Sequence, residues 1–155
     1  MWFKGNCGQI SGEVKSGWFP LVSGSCIWSS PPELKPDFLA DLVRICGDER
    51  LPILVGGDFN IIRKREEKNN DNFDSRWSLM FNMIIESLNL REIELTGRQF
   101  TWANSLPTPT YEKLDRVLAS VEWEQKYPLV SVRVMRRAIS DHTPLLLDSE
   151  DATHI

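Results

Sequence analysis

The chain has 155 residues and a mass of 17.8 kDa, with 41% hydrophobic and 26% charged side chains, the profile of one ordinary globular domain. This balance excludes disordered, collagen-like and solenoid organisation. Eighteen Lys and Arg against 22 Asp and Glu leave a formal net charge of -4, the wrong sign for holding nucleic acid by bulk charge, so any such contact must come from a local patch.

Residues 1–33 carry five of the nine glycines, three prolines and Trp2, Trp18 and Trp28, with no sustained period of 2 or 3.6. They predict at most short strands around Trp18 to Val22 and Ser25 to Trp28. From residue 34 the texture changes. Leu34 to Cys46 sets Phe38, Leu42, Val43, Ile45 and Cys46 against Asp37, Asp41 and Arg44, the stripe of an amphipathic helix, and Gly47 is a natural stop. Leu51 to Val55 reads as a buried strand that opens into a loop at Gly56-Gly57. A charge-dense loop from Arg63 to Ser75 precedes a strongly periodic helix, in which Trp77, Met80, Phe81, Ile84, Ile85 and Leu88 share one face.

Strand-like runs follow at Gln99 to Ala103, Lys113 to Ser120, Val130 to Met135 and Pro144 to Leu147, with a short helical segment from Val121 to Tyr127. Helix, strand, helix and then strands give a layered α/β (α+β) unit over residues 34–148, with residues 149–155 as a tail. The cysteines Cys7, Cys26 and Cys46 form no C-x-x-C pair, and their odd number argues against a disulfide framework, which points to a reducing compartment. No signal peptide or 18-residue apolar run is present, so an intracellular chain with no membrane contact is expected, small enough to enter a nucleus passively.

Three loop-proximal segments hold groups suited to chemistry. In Gly56-Gly57-Asp58-Phe59-Asn60, the carboxylate and carboxamide would point the same way on an extended backbone. They serve equally well as turn caps for backbone amides. Asp115 interrupts the apolar strand around Leu114 and should face away from Leu114 and Arg116; it needs a partner, either in a site or in a salt bridge to Arg116 or Arg137. Ser140-Asp141-His142 supplies the only imidazole outside the tail, since the other is His154, and a lone histidine is either structural or catalytic. Together these groups match what phosphoryl-ester hydrolysis requires: a carboxylate base, an amide and imidazolium for the phosphoryl oxygens, and a carboxylate to orient the ring. Basic residues flank them. Arg63 and Lys64 after the first segment, and Arg136 and Arg137 before the third, are candidates for binding phosphate or DNA.

Gly57-Asp58-Phe59-Asn60, Leu114-Asp115-Arg116 and Ser140-Asp141-His142, in that order with Gly97-Arg98-Gln99-Phe100-Thr101-Trp102-Ala103-Asn104 between, resemble the later motifs of the endonuclease/exonuclease/phosphatase superfamily. More narrowly they resemble endonucleases of plant LINE-type non-LTR retrotransposons. The resemblance implies the C-terminal part of a DNase I-like four-layer α/β/β/α sandwich, incomplete at the N-terminus, and Mg2+-dependent phosphodiester cleavage of DNA with no small-molecule cofactor. It implies Asp58 as the base, Asn60 as a phosphate-orienting amide, His142 as the imidazole at the scissile phosphate, Asp115 as its partner and Asp141 as a carboxylate near the metal. Family members open with strands bearing an Asn and a metal-binding Glu, whereas Glu13 and Glu33 stand in no matching context. The expectation is therefore a partial domain of impaired or no activity, with an exposed sheet edge prone to self-association. A non-catalytic DNA-binding module and a phosphatase of the same superfamily are the alternatives.

Overall fold

The computed structural model describes residues 35–47, 52–136 and 141–148. The readings for residues 1–33 and 149–155, and Arg137, lie outside the described residues.

Helix α1 spans Lys35–Gly47 and α2 spans Ser75–Ser87, with the Asp74 side chain capping α2 by accepting from the amide of Arg76. The stripe read for α1 packs on the core except at Val43, with Phe38 and Ile45 partly buried against it and Leu39 added. Leu39, Leu42 and Cys46 are its buried residues, and Val43 is exposed. Asp41 and Arg44 pair with each other across one turn on the solvent side, as their place in the pattern requires. In α2, Phe81 and Ile85 are buried as expected, but Met80 faces solvent and Ser78 takes a core position, donating its hydroxyl to the carbonyl of Ile62.

The described residues form eight strands, in chain order β1 Leu54–Asp58, β2 Leu90–Glu92, β3 Leu95–Thr96, β4 Trp102–Ala103, β5 Tyr111–Glu112, β6 Asp115–Ser120, β7 Ser131–Val134 and β8 Leu145–Asp148. Helix α3, Val121–Lys126, lies between β6 and β7. One antiparallel sheet has the order β1-β6-β2, a second has β3-β7-β8, and β4 and β5 form a separate ribbon. Strand β1 runs on through Gly56 and Gly57 to Asp58, since Gly56 pairs with Val117 and Gly57 with Arg116. The loop therefore begins three residues later than expected. Strand β4 is only two residues of the predicted Gln99 to Ala103 run, and β2, β3 and β5 are additions.

Strand alternation divides the interior in two. Val55 and Leu118 turn toward α1 and α2, joining Leu39, Phe59, Phe81 and Ile85 in one cluster. Leu54, Val117 and Ala119 turn the other way and pack with Val132, Leu145, Leu147 and Trp123 in a second. Sheet β1-β6-β2 is thus sandwiched between a helical layer and the second sheet, with α3 at its end. Its central strand β6 is buried on both faces, with Leu118 and Ala119 fully enclosed. Each buried Leu, Val or Phe of these clusters contributes about 1.5–3 kcal/mol of transfer free energy. No helix among the described residues is long and apolar enough to cross a membrane.

Candidate active site

The ends of the paired strands β1 and β6 bring the site together. Asp58 is the last residue of β1 and lies directly opposite Asp115, the first residue of β6. After Asp58 the chain turns sharply. Asn60 adopts a left-handed φ of 53°, and its amide donates to Asp58 Oδ1 at 2.9 Å. The extended geometry that would align Asp58 and Asn60 is absent, because this Asx-type turn replaces it. One carboxylate oxygen thus caps the turn while the other stays available: Asp58 Oδ2 lies 3.7 Å from His142 Nε2.

His142 arrives from the segment before β8. Its Nδ1 lies 2.9 Å from Asp115 Oδ2, so the ring sits between two carboxylates. Asp115 faces away from Leu114 and Arg116 as alternation requires, and its partner is the imidazole and not Arg116. The segment is cradled by β4. Trp102 bridges His142, its indole Nε1 donates to Asp141 Oδ2 at 3.0 Å, and the Ala103 amide donates to the Asp141 carbonyl. Thr101, which is buried, accepts the amides of Leu114 and Asp115 on its hydroxyl, while its carbonyl accepts the amide of Thr143. One threonine thereby ties the Asp115 strand to the His142 segment. Gln99 to Ala103 read as a strand and as part of the Gly97 to Asn104 motif, with no role assigned to Thr101; the signal for this second role was a hydroxyl residue inside an apolar run.

The electrostatics follow from crowding three carboxylates around one ring. Burial foremost, and then the charge of Asp115, pushes the Asp58 carboxyl up to about 6, against the opposing pull of the Asn60 amide and His142. Burial alone would lower His142. Its hydrogen bond to Asp115 and the charges of Asp115, Asp58 and Asp141 outweigh that and raise it, favouring the imidazolium. Asp58, Asp115 and His142 each present one ligand atom, all within 4.8 Å of one another. Asp141 is exposed at the rim.

The four basic candidates are placed unequally. Arg63 is half-buried, donating from Nε to Asn82 at 2.7 Å and from Nη1 to Glu92 at 2.8 Å, so its guanidinium is engaged within the fold. Lys64 and Arg136 are exposed, and Arg137 lies outside the described residues. Two residues read as loop and strand positions have a different part. Glu67, in the short 3-10 turn Arg65–Glu67, is buried, and so is Arg116, and the two pair at 2.9 Å.

Residues 4–142 match the Endonuclease/Exonuclease/phosphatase family. The chain belongs to the endonuclease/exonuclease/phosphatase family. The match begins at residue 4, upstream of the residues in which the motifs stand. Among solved structures, this family member is similar to the endonuclease domain of TRAS1, a telomere-specific non-LTR retrotransposon, at 16% identity and a TM-score of 0.56, covering 81% of this chain and 54% of that one. It is also similar to a 3'-5' exonuclease from Neisseria meningitidis, at 20% identity and a TM-score of 0.63, covering 81% and 59%. A beta toxin from Staphylococcus aureus matches at 16% identity and a TM-score of 0.55, covering 82% and 51%. These likenesses establish the DNase I-like fold, and the chain spans somewhat over half the length of each neighbour. No curated protein matches it.

Proposed function

We propose that the chain carries the base-and-imidazole half of a LINE-type endonuclease site that hydrolyses phosphodiester bonds in DNA. The observation that carries this reading is His142 held between Asp115 at 2.9 Å and Asp58 at 3.7 Å. With its carboxyl near 6, Asp58 is ionised at neutral pH yet more basic than an exposed aspartate, which suits it to take the proton of the attacking water. Asp115 holds the ring at Nδ1, leaving Nε2 to donate to a phosphoryl oxygen, and the imidazolium offsets the charge that builds there. Asn60, beside the same turn, is the amide for a second phosphoryl oxygen. The Gly97 to Asn104 stretch that cradles Asp141 and His142, and the likeness to the TRAS1 endonuclease domain, favour the retroelement branch over a phosphatase.

The donor set fits a hard divalent cation at the rim. Asp141 is an exposed carboxylate, and its charge adds to the repulsion raising Asp58, which a cation would relieve. Magnesium is commonly held by one or two carboxylates, with waters and substrate phosphates completing the shell. Asp141 would hold it, and when bound it supplies charge neutralisation at the phosphoryl oxygens. The trio of Asp58, Asp115 and His142 suits it less, because His142 Nδ1 already bonds Asp115. Glu67 and Glu92 turn inward to Arg116 and are engaged there. Slow turnover in magnesium is the corresponding part of the proposal.

The test is supercoiled-plasmid nicking in magnesium by folded, monomeric protein, with EDTA and His142→Ala as controls. Slow nicking that needs both metal and His142 is expected. Hydrolysis of p-nitrophenyl phosphate without nicking would replace the reading with a phosphatase. Salt-sensitive DNA association without any hydrolysis would replace it with a binding module.

A further inference from the structure

The chemistry described above uses one end of β6 and leaves its neighbour unexplained. Arg116, one residue after Asp115, is 2% exposed, and a fully buried guanidinium is costly to desolvate unless it is matched by partners. Its two Nη groups are matched, while the buried Nε has no hydrogen-bond partner among the described residues. Nη1 donates to Glu92 at 2.9 Å and Nη2 to Glu67 at 2.9 Å. Nη2 shares its two N–H groups between that carboxylate and two backbone carbonyls, those of Ile61 at 3.1 Å and Lys113 at 2.6 Å, and Nη1 also reaches Glu67 at 3.3 Å. These two carbonyls are not arbitrary positions. Ile61 follows Asn60 and closes the turn that begins at Asp58; Lys113 opens the approach to Asp115.

We infer that Arg116 and Glu67 form a buried clamp that positions Asp58 and Asp115 on either side of His142. The proposal rests on the reading of those three residues as the reacting site, and it concerns residues that touch neither water nor phosphate. Arg116 grips both loops at once through a single nitrogen. Glu67 locks the same pair from the other side: its carbonyl accepts the Lys113 amide at 2.9 Å and its carboxylate accepts the Arg63 amide at 2.6 Å. The Phe59 amide adds a direct bond to the Leu114 carbonyl at 3.0 Å. The two loops are thereby joined through a buried guanidinium, a buried carboxylate and backbone.

The clamp answers a mechanical need. Asp58 and Asp115 stand opposite each other in register, and the charge of Asp115 is among the causes that raise Asp58, so the two loops repel. An exposed pair of loops would relax by spreading. The four N–H groups of the two Nη atoms face two carbonyls and two carboxylates in one planar fork, which a lysine ammonium with three donors cannot reproduce. Asymmetry in the partners sharpens the point. Glu92 comes from β2 and bonds Lys113 and Arg63 besides Arg116, so it supports the clamp without touching the Asp58 loop backbone.

The test compares the full chain with Arg116→Lys, Glu67→Gln and the control Val132→Ala, a buried residue of the second core cluster, with thermal unfolding establishing which variants fold. The first readout is the ring 15N shifts of His142, easily assigned because the chain has 2 histidines, which report the Nδ1 hydrogen bond to Asp115 directly. The second is plasmid nicking resolved into kcat and KM. Both clamp variants are expected to shift the His142 nitrogens toward those of a solvent-exposed ring and to lower kcat by roughly 10- to 100-fold at little changed KM, the cost of misplaced groups. Val132→Ala is expected to lose stability and keep both readouts. Should Arg116→Lys fail to fold, Glu67→Gln decides. Unmoved ring shifts in a folded clamp variant would reduce Arg116 and Glu67 to stabilising residues and overturn the inference. Shifted rings in a chain that never nicks would uphold the clamp while removing the hydrolytic reading.

Discussion

Glu92→Gln isolates the ionic part of the buried network. The Glu92 side chain is 10% exposed and receives Arg116 at 2.9 Å, Arg63 at 2.8 Å and Lys113 at 2.5 Å. Burial by itself would raise its carboxyl; the three cations outweigh that and hold it down at about 2, against an ordinary 4.5. At about 1.4 kcal/mol for each pH unit, ionised Glu92 contributes roughly 3 kcal/mol to folding near neutrality. The folded value is depressed, so this stability is present in full above pH 4.5 and is lost as pH falls toward 2. By pH 3 more than half of it is gone. Urea unfolding of the protein and of Glu92→Gln should therefore differ by about 3 kcal/mol at pH 7, a midpoint change of roughly 1–2 M for an ordinary urea slope. The gap should narrow to about 1 kcal/mol at pH 3. A gap that stays constant between the two pH values would refute the ionic origin, and a gap below about 0.5 kcal/mol at pH 7 would assign Glu92 the weight of an ordinary surface pair.

Asp58→Asn keeps the side-chain oxygen that caps the Asn60 amide and removes the repelled charge, so it should raise the melting temperature at pH 7 by a few degrees while lowering any nicking rate about 10²- to 10⁴-fold. The nicking rate of the unmodified protein should rise with pH through about 6 as Asp58 loses its proton, a limb that Asp115→Asn should move to lower pH by removing the neighbouring charge. Leu118→Ala, at a fully enclosed position of β6, should cost about 2–5 kcal/mol in urea unfolding. Gly97→Ala should cost roughly 1 kcal/mol or more, because φ there is 101° and an added Cβ would meet Val134 Cγ2 at 3.0 Å.

Helix α2 was readable because its apolar residues recur at helical spacing, and β6 because its alternation placed Leu114 and Arg116 opposite Asp115. The alternation was right, yet its consequence for Arg116, a buried charge, depends on partners 24 and 49 residues away that no local pattern reveals. Glu67 was hidden in the same way. Among Arg65, Glu66 and Lys68 it reads as one charge in a solvated loop, and only the 3-10 turn directs it inward. Strands β2 and β3, of three and two residues, are too short to carry a period and are defined by pairing with β6 and β7. The motif residues Asp58, Asp115 and His142 were identifiable by type and order. Their meeting is a property of the register that sets Asp58 opposite Asp115, which only the folded sheet supplies.

The two ends of this network set stability and chemistry at different pH. Glu92 strengthens the fold as pH rises from 2 to 4.5. Asp58 works in the opposite direction: its folded carboxyl near 6 lies above the ordinary 3.8, so stability is lost as pH climbs between those values. His142 adds to the same side, because a raised imidazole stabilises the folded chain below its ordinary 6.5 and gives that up as pH passes its folded value. These three groups together favour the fold most near about pH 4, where Glu92 is already ionised and Asp58 still largely protonated, whereas the base is competent only above about 6. The ionised Asp58 that would activate water is thus the least comfortable form of the folded chain. Such a form persists only where the backbone is over-determined, and β6, buried on both faces and gripped through Arg116, supplies that constraint. The melting-temperature gain of Asp58→Asn should accordingly be absent at pH 3, appear as pH rises from 3.8 to about 6 and level off beyond.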